Sequence, residues 1–249
     1  MKITVLGAGT CIPFPGFSPS GYLLHLNQLN ILLDAGPGTI SRMAAQGVSY
    51  QDLEFAVISH LHPDHVLDLF TLLQANNATP GWSRNKALSI IGCKGIDEFL
   101  HQEFKLLDGT EPETFDLRIY EMDEDTLDFG SWTLKSTLTN HTTTSLAYRI
   151  TENQKSIVYS GDATNVEKLI QLAFDAQLLV CECSLPQGWQ TPDHLTPDQI
   201  GILAKRAGVE QVVLTHRYPQ AIQADVISQV KNHYDGRVYA AADGFSCEI

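Results

Sequence analysis

Four side chains that can bind a metal ion fall within one short segment, His60-Leu61-His62-Pro63-Asp64-His65. The segment follows an apolar run at 55–59, which predicts a buried strand, and precedes residues 66–73, whose apolar positions suit a helix. Alternate residues of an extended segment point the same way, so the first two histidines are expected to reach one ion. The proline fixes a turn that aims the aspartate and the third histidine at a neighbouring point. This spacing predicts two metal ions side by side.

Three further candidate ligands, His141, Asp162 and His216, lie where strands are predicted to end. Asp162 follows a glycine at the end of an apolar strand, which is a good position for projecting a carboxylate into a site. Two of these residues also have an ordinary explanation when they are taken alone. His141 is equally typical of a loop histidine, and Asp162 is equally typical of a cap for the helix that follows.

Three other polar residues occupy positions that call for a function. Glu182 lies inside an apolar strand predicted at 178–184, where a carboxylate needs a partner or a role. His194 stands just before a helix that Thr196 is predicted to cap. Asp34 ends a predicted strand, where it either caps the next helix or orients a ligand histidine. We treat Cys181 and Cys183, which flank the glutamate, as core residues rather than metal ligands.

Composition narrows the class of protein. Asp and Glu number 29 against 16 Lys and Arg, which gives a net charge of −13. Such a surface repels nucleic-acid phosphates unless a local basic patch intervenes. No stretch is apolar for long enough to span a membrane, and the first residues predict a strand rather than a signal peptide. The five scattered cysteines imply no disulfide framework, so we expect a cytoplasmic protein without a membrane partner.

The elements that must position these residues alternate between strand and helix in both halves of the chain. We predict one domain over residues 1–249, an αββα sandwich in which two mixed β-sheets pack face to face with helices outside. The Asn-rich segment 76–85 is predicted to be a loop. A homodimer is the assembly we would expect for a protein of this kind. The loops expected to shape a pocket lie around Phe14–Phe17, Trp82, Leu106–Phe115 and Trp189.

The ligand candidates, taken in order, resemble the signature of the metallo-β-lactamase superfamily, and within it the ribonuclease Z-like zinc phosphodiesterases. The resemblance covers nearly the whole chain. It implies one ion held by three histidines, a second held by an aspartate and two histidines, and a further aspartate that bridges them. It also implies that Asp34 is a supporting carboxylate. In that order the implied ligands are His60, His62 and His141; Asp64, His65 and His216; and Asp162.

Two shorter segments extend the resemblance. Residues 181–184, Cys-Glu-Cys-Ser, are similar to the H-E-A-T segment of ribonuclease Z, with the glutamate kept and the histidine lost. Residues 194–196, His-Leu-Thr, are similar to its H-S-T segment. In that family the glutamate–histidine pair passes a proton to the leaving group. The resemblance therefore implies this role for Glu182 and His194.

The chain also departs from that pattern. Ribonuclease Z carries a long arm that grips tRNA, whereas here a single predicted hairpin joins His141 to Asp162. Arg217 and Tyr218 follow His216 directly, whereas the family places two small residues between them. With the acidic charge balance, these departures argue against tRNA as a partner. A related cyclic-phosphate phosphodiesterase lacks the arm but has clustered cysteines near its start, which this chain does not share.

Other branches of the superfamily fit less well. β-Lactamases proper use a cysteine where Asp162 stands, and flavin-linked di-iron reductases replace the second motif histidine with a glutamate. Imidazole and carboxylate ligands suit Zn²⁺, with Mn²⁺ or iron as alternatives. Two such ions would hold a bridging hydroxide, because a bound metal lowers the pKa of water to about 7.

We therefore predict a dinuclear metal-dependent hydrolase, most simply a phosphodiesterase for small, cyclic or RNA-end phosphodiesters. Asp64 would orient the hydroxide, and His194, paired with Glu182, would protonate the departing alkoxide. Arg217 would either hold a phosphate oxygen or form a surface ion pair. The alternatives are a carboxyl-ester, lactone or thioester hydrolase on the same scaffold, a tRNA 3′ processing endonuclease and a metal-binding protein without turnover.

Overall fold

A computed structural model describes residues 1–189 and 192–249. The strands are β1 (Lys2–Gly7), β2 (Gly21–His25), β3 (Asn30–Ala35), β4 (Leu53–Ile58), β5 (Leu88–Cys93), β6 (Leu117–Met122), β7 (Thr126–Asp128), β8 (Thr133–Leu138), β9 (Leu146–Glu152), β10 (Lys155–Tyr159), β11 (Leu178–Glu182), β12 (Gln211–Thr215), β13 (Arg237–Ala240) and β14 (Ser246–Glu248). The helices are α1 (Thr39–Ala45), α2 (Pro63–Val66), α3 (Asp68–Ala78), α4 (Ile96–Phe104), α5 (Val166–Leu172), α6 (Pro197–Ala207), α7 (Pro219–Ile222) and α8 (Val226–Lys231), with a 3₁₀ turn at Tyr50–Asp52.

The strands form two seven-stranded sheets. The first has the order β14-β1-β2-β3-β4-β5-β6, and the second has the order β13-β12-β11-β10-β9-β8-β7. Strands β3 to β6 run parallel, as do β10 to β13, and the remaining neighbours are antiparallel. The predicted pair of mixed sheets is confirmed.

Three apolar layers hold the sandwich together. The layer between the sheets contains the fully buried rings of Tyr22 and Tyr148 and the nearly buried ring of Tyr159. A second layer joins the first sheet to α1, α3 and α4. A third layer joins the second sheet to α5, α6 and α8. The helices therefore lie outside the two sheets, as predicted.

The predicted loop at 76–85 is partly wrong, because α3 continues to Ala78. Asn76 is buried in this last turn, where its Nδ2 donates to Leu72 O and its Oδ1 accepts from Arg84 Nε. A buried asparagine with both ends of its amide satisfied is compatible with a helix, although the propensity of asparagine predicts otherwise. The three-residue strand β7 was also missed, since so short an element carries no periodicity.

The structure also bears on the predictions about disulfides and membrane spans. All five cysteines are free thiols, consistent with the absence of a disulfide framework. In the described part of the chain, no helix is long and apolar enough to cross a membrane. The loop around Trp189, which was expected to help shape a pocket, continues through residues 190 and 191, which lie outside the described residues.

Candidate metal centre

The candidate ligands converge because the parallel strands of both sheets end at one edge of the sandwich. In parallel sheets, ligands bind outside the carboxyl ends of the strands. The motif at 60–65 follows β4, Asp162 follows β10, and His216 follows β12 directly. His141 reaches the same place from the loop between β8 and β9. Every ligand implied by the resemblance is therefore brought to this edge.

The first ligand group contains three imidazoles and one carboxylate. His62 Nδ1 lies 3.0 Å from His60 Nε2 and 3.2 Å from His141 Nε2. Asp162 Oδ2 lies 3.6 Å from His141 Nε2 and 3.9 Å from His60 Nε2. Tetrahedral zinc ligands at 2.0–2.1 Å from the ion stand about 3.3 Å apart. These four atoms have the spacing of ligands around one ion.

The second group lies beside the first. His65 Nε2 is 3.3 Å from His216 Nε2, and Asp64 Oδ2 is 3.5 Å from the same His216 atom. Asp64 Oδ2 lies 3.8 Å from His65 Nε2. The ligand atoms of this group all lie within 4.8 Å of one another, which is again the scale of a single coordination sphere.

Asp162 connects the two groups and provides the test of their fit to metal. Its Oδ2 faces the first group, while its Oδ1 lies 3.6 Å from His65 Nε2 in the second. Oδ1 is buried and makes no hydrogen bond among the described residues, although Nδ1 of His216 lies 3.2 Å away. An orphaned, buried carboxylate oxygen needs a cation or another partner. The donor set therefore fits divalent metal, with the carboxylate placed to be shared.

The protonation states of the first ligand group favour metal binding. Burial favours the neutral acid of Asp162, but His216 and His65 outweigh it and hold the pKa of this carboxyl well below its usual range. Burial, with the nearby charge of His65, holds the pKa of His60 well below its usual value. Burial also lowers the pKa of His62. In the first group, an ionised carboxylate therefore faces the neutral imidazoles of His60 and His62, which keep a lone pair for an ion. In the second group, burial opposes the charge of His65, but Asp162 and Asp34 outweigh it and raise the pKa of His65 well above its usual value, so a bound ion would displace that proton.

Asp34 fixes the orientation of the motif from behind. The carboxylate is fully buried and accepts from the backbone N–H and the hydroxyl of Ser59, at 2.6 and 2.7 Å. It also accepts from His65 Nδ1 at 2.7 Å and from the hydroxyl of Tyr159 at 2.5 Å. The hydrogen bond to Nδ1 leaves Nε2 of His65 directed at the metal group. These hydrogen bonds are what the predicted supporting role of Asp34 requires.

Backbone strain marks the same edge. Asp34 and His216 adopt left-handed conformations, with φ of 51° and 49°, that residues other than glycine rarely occupy. Gly161, just before the shared aspartate, has φ of 53°, and a Cβ there would stand 2.8 Å from that of Ser59. Strain of about 1–3 kcal/mol at each such residue persists only where the surroundings enforce it, typically at functional sites.

Glu182 joins the proposed acid to a candidate metal ligand. Its carboxylate is buried and lies 3.1 Å from His194 Nδ1. Its other contacts are the backbone N–H of Ala163, at 2.7 Å, and the hydroxyl of Ser184, at 2.5 Å. Ser184 Oγ also lies 3.1 Å from His216 Nδ1. The hydroxyl of Ser184 therefore contacts both Glu182 and Nδ1 of His216, while Nε2 of His216 faces His65 and Asp64 in the second group.

His194 is held as a protonated imidazole in the metal-free protein. Burial opposes its charge, but the hydrogen bond and charge of Glu182 outweigh burial and raise the pKa of His194 to about 9. Since Nδ1 is bound to Glu182, the proton available for transfer is on Nε2. His194 also forms a third potential ligand group with Asp162 and His216, so it stands within reach of any substrate bound there.

The environment of Arg217 differs from one of the two that the sequence predicts. The side chain is buried, its Nη2 donates to Ala241 O at 2.5 Å, and its guanidinium lies 5.1 Å from the ring centroid of Phe17. Burial excludes the surface ion pair that the sequence left open. Arg217 ties the loop after β1 to the end of β12, and its role in holding a phosphate oxygen stays a prediction.

A cavity of about 810 Å³ opens beside His194. Trp189, one of the residues expected to shape a pocket, lines it. Trp82 does not, because it lines a separate cavity of about 550 Å³ together with His25 and Lys86.

Sequence reasoning missed Ser59, Tyr159 and the backbone carbonyl of Asp193, which accepts from His141 Nδ1 at 2.8 Å. A serine just before the motif gave a weak signal. The tyrosine and the carbonyl gave none, because their roles depend on strand pairing and loop path.

Comparisons with known proteins agree with the geometry. Residues 29–217 match the family model described as a beta-lactamase superfamily domain. The probable metallo-hydrolase YhfI of Bacillus subtilis is 29% identical over 250 residues that cover both chains entirely. A ribonuclease Z of Methanosarcina mazei is 26% identical, with 87% of each chain covered.

Solved structures agree as well. The metallo-beta-lactamase fold protein YhfI from Bacillus subtilis superimposes with a TM-score of 0.86 at 26% identity, covering 99% of each chain. The short form of human tRNase Z gives 0.82 at 22% identity, covering 100% of this chain and 99% of that one, which shows the fold. The resemblance predicted from the motifs is confirmed. The chain belongs to the β-lactamase superfamily, as a metal-dependent hydrolase of the metallo-β-lactamase fold.

Proposed function

We propose that this protein is a dinuclear phosphodiesterase that hydrolyses small, cyclic or RNA-end phosphodiesters. The observation that carries the proposal is the Glu182–His194 pair, placed against both ligand groups with its transferable proton on Nε2. When a phosphodiester of an ordinary alcohol is hydrolysed, the alcohol leaves as a strongly basic alkoxide, which needs a proton. Acyl substrates with good leaving groups gain much less from such an acid.

The two ligand groups support a pair of divalent ions, most simply Zn²⁺, with Mn²⁺ or iron as alternatives. Bound there, the ions would supply a nucleophile at neutral pH and neutralise charge on the phosphoryl oxygens. Asp64, which is partly exposed at the mouth of the site, would orient the attacking water through its carboxylate. His194 would then give its Nε2 proton to the departing oxygen, while Glu182 holds the resulting ring in place.

The path between β9 and β10 supports a small substrate. These strands form a tight hairpin, with Glu152 paired to Lys155, so no arm projects between them. The relatives named ribonuclease Z favour a phosphodiester over an acyl substrate. The net charge of −13 argues against a long polyanion such as tRNA. A cytoplasmic location fits the free thiols.

The test loads the protein with Zn²⁺ or Mn²⁺ and measures bound metal together with turnover of four substrates: an aryl phosphodiester, an aryl ester, a lactone and a thioester. We expect two ions per chain and preferential turnover of the phosphodiester. His194→Ala should lose more activity with an alkyl phosphodiester than with the aryl one, because the alkoxide is the more basic leaving group. The control His101→Ala, at an exposed position on α4, should keep activity with both. Turnover of the acyl substrates with an inert phosphodiester would refute the proposal and assign the protein to the acyl hydrolases.

A further inference from the structure

The cavity beside His194 lies on the side of the centre from which a leaving group would depart. Thr164, two residues after the shared aspartate, lines it together with the proposed acid. The acid must reach the oxygen that leaves, so the rest of the leaving alcohol has to occupy space on the same side as His194. The cavity of about 810 Å³ is large enough for an alcohol that carries a ring system.

Trp189 presents a flat apolar surface to this cavity. Its side chain remains 52% exposed, which is high for so large an aromatic residue. The turn that carries it is fixed, because its N–H donates to Pro186 O and the N–H of Gln187 donates to the side chain of Gln229 on α8. Gly188 has φ of 93°, which allows this turn. These contacts fix the backbone position of Trp189, and its ring is left open to the cavity.

Among the residues that the structure describes, the cavity wall carries no charged side chain apart from the proposed acid. Besides the tryptophan and His194, the described lining residues are Thr164, Gln187, Gly188, Pro192, Thr196 and Gln199. Amides and hydroxyls can satisfy the polar edge of a ring, but they do not compensate a second phosphate or carboxylate. This lining suits an uncharged ligand.

The loop that forms the wall is also tied to the metal centre. The carbonyl of Asp193 accepts the hydrogen bond from Nδ1 of His141, whose Nε2 faces the first ligand group. The rings of His141 and His194 stand 5.0 Å apart. The contacts of His141 with Asp193 and His194 therefore fix how far the cavity wall lies from the first ligand group.

We propose that Trp189 is a specificity-determining residue that stacks on a flat aromatic or heteroaromatic ring of an uncharged leaving alcohol. The inference rests on the proposed phosphodiesterase function. In that hydrolysis the P–O bond to the alcohol breaks, water supplies the new oxygen on phosphorus, and the proton on His194 Nε2 goes to the leaving oxygen. Aryl alcohols and nucleosides share the required chemistry, and the experiment separates them.

The experiment uses two pairs of phosphodiesters that differ in the ring. Benzyl methyl phosphate is compared with cyclohexylmethyl methyl phosphate, and the 5′-methyl phosphate of adenosine with that of methyl riboside. We expect kcat/KM for the flat-ring member to be higher by about 5- to 150-fold in at least one pair, the range that base–aromatic stacking gives. The pair that responds identifies an aryl or a nucleobase ligand.

Three variants complete the test. Trp189→Ala should remove the preference for the flat ring, Trp189→Phe should keep part of it, and Phe174→Ala should leave it unchanged. Phe174 is a matched control, since it is exposed and lies before β11, at the opposite end of the strands. An equal rate within both pairs, or a preference that survives in Trp189→Ala, would overturn the inference.

A binding measurement separates this failure from failure of the proposed function. Adenosine or benzyl alcohol should quench tryptophan fluorescence of the Zn²⁺-loaded protein, whereas methyl riboside should not. Trp189→Phe should lose this quenching. If no phosphodiester is hydrolysed but the quenching is present, the proposed function fails and the ring site stands. If phosphodiesters are hydrolysed but there is neither quenching nor a ring preference, the proposed function stands and the ring site fails.

Discussion

Replacing Asp34 with asparagine tests how the buried carboxylate supports the metal centre. Its two oxygens accept four hydrogen bonds, one on Oδ1 from the backbone N–H of Ser59 and three on Oδ2. An amide has only one acceptor oxygen. If that oxygen keeps the three contacts on the Oδ2 side, the amide NH₂ faces the N–H of Ser59, which cannot rotate away.

The expected cost follows from this geometry. A buried donor without a partner costs about 1–3 kcal/mol of folding free energy. His65 keeps its hydrogen bond in this orientation but loses the negative charge that orients it and raises its basicity. Loss of such a partner typically lowers metal affinity about 10- to 100-fold, equivalent to about 1.4–2.8 kcal/mol. We therefore expect Asp34→Asn to weaken both the fold and metal binding.

The assay measures Zn²⁺ affinity by competition with a chelator, and stability by denaturant unfolding of the metal-free protein. Asp68→Asn is a matched control, because Asp68 is also a buried carboxylate and accepts from the N–H of Ile40 at 2.6 Å, away from the ligand histidines. It should lower stability and leave Zn²⁺ affinity unchanged. Equal Zn²⁺ affinity in Asp34→Asn and wild type would refute the reasoning.

Three further predictions follow from the same contacts. The pKa of His194 is raised to about 9 by its pairing with Glu182. This pairing therefore contributes fully to the stability of the metal-free fold below pH 6.5, and the contribution is lost as pH rises through 9. The stability difference between wild type and His194→Asn should accordingly shrink by about 3 kcal/mol between pH 6 and 10, and a flat difference would contradict it. Gly161→Ala should lower the melting temperature by more than Gly130→Ala. Both glycines have positive φ, but of the two only Gly161 would bring a Cβ within 3.0 Å of neighbouring atoms. Equal melting temperatures of the two variants would count against this. Ser184→Ala should lower the affinity for the second ion, measured by stepwise Zn²⁺ titration, because it removes the contact to the ligand histidine beside it; unchanged titration steps would show that the hydroxyl is dispensable.

The positions of most candidate ligands were predictable because they follow strands whose apolar pattern is strong. The segment at 60–65 carries its spacing within itself, and Asp162 and His216 each follow a buried strand that ends at the same edge. Residue type and local pattern marked these positions, since parallel strands bring their carboxyl ends together. They did not separate a ligand from a helix cap at Asp162 or from a loop histidine at His141, and only the family resemblance placed both in the ligand set.

The supporting contacts were not predictable, because they depend on pairing across the whole chain. Tyr159 reaches Asp34 only because the two sheets pack face to face, and their positions are 125 residues apart. Arg217 was expected near substrate or solvent, but it packs over Phe17 in the folded chain. Such contacts leave no periodicity in the sequence. The single domain over residues 1–249 and the homodimer remain predictions.

The most direct test of the central claim is the dependence of rate on the leaving group. A series of phosphodiesters with leaving alcohols of increasing pKa would be hydrolysed by the Zn²⁺-loaded wild type and His194→Ala, with bound metal measured in both. If His194 is the acid of a phosphodiesterase, the loss in the variant should grow steadily as the leaving alcohol becomes more basic. An equal loss across the series, at equal metal content, would contradict the account.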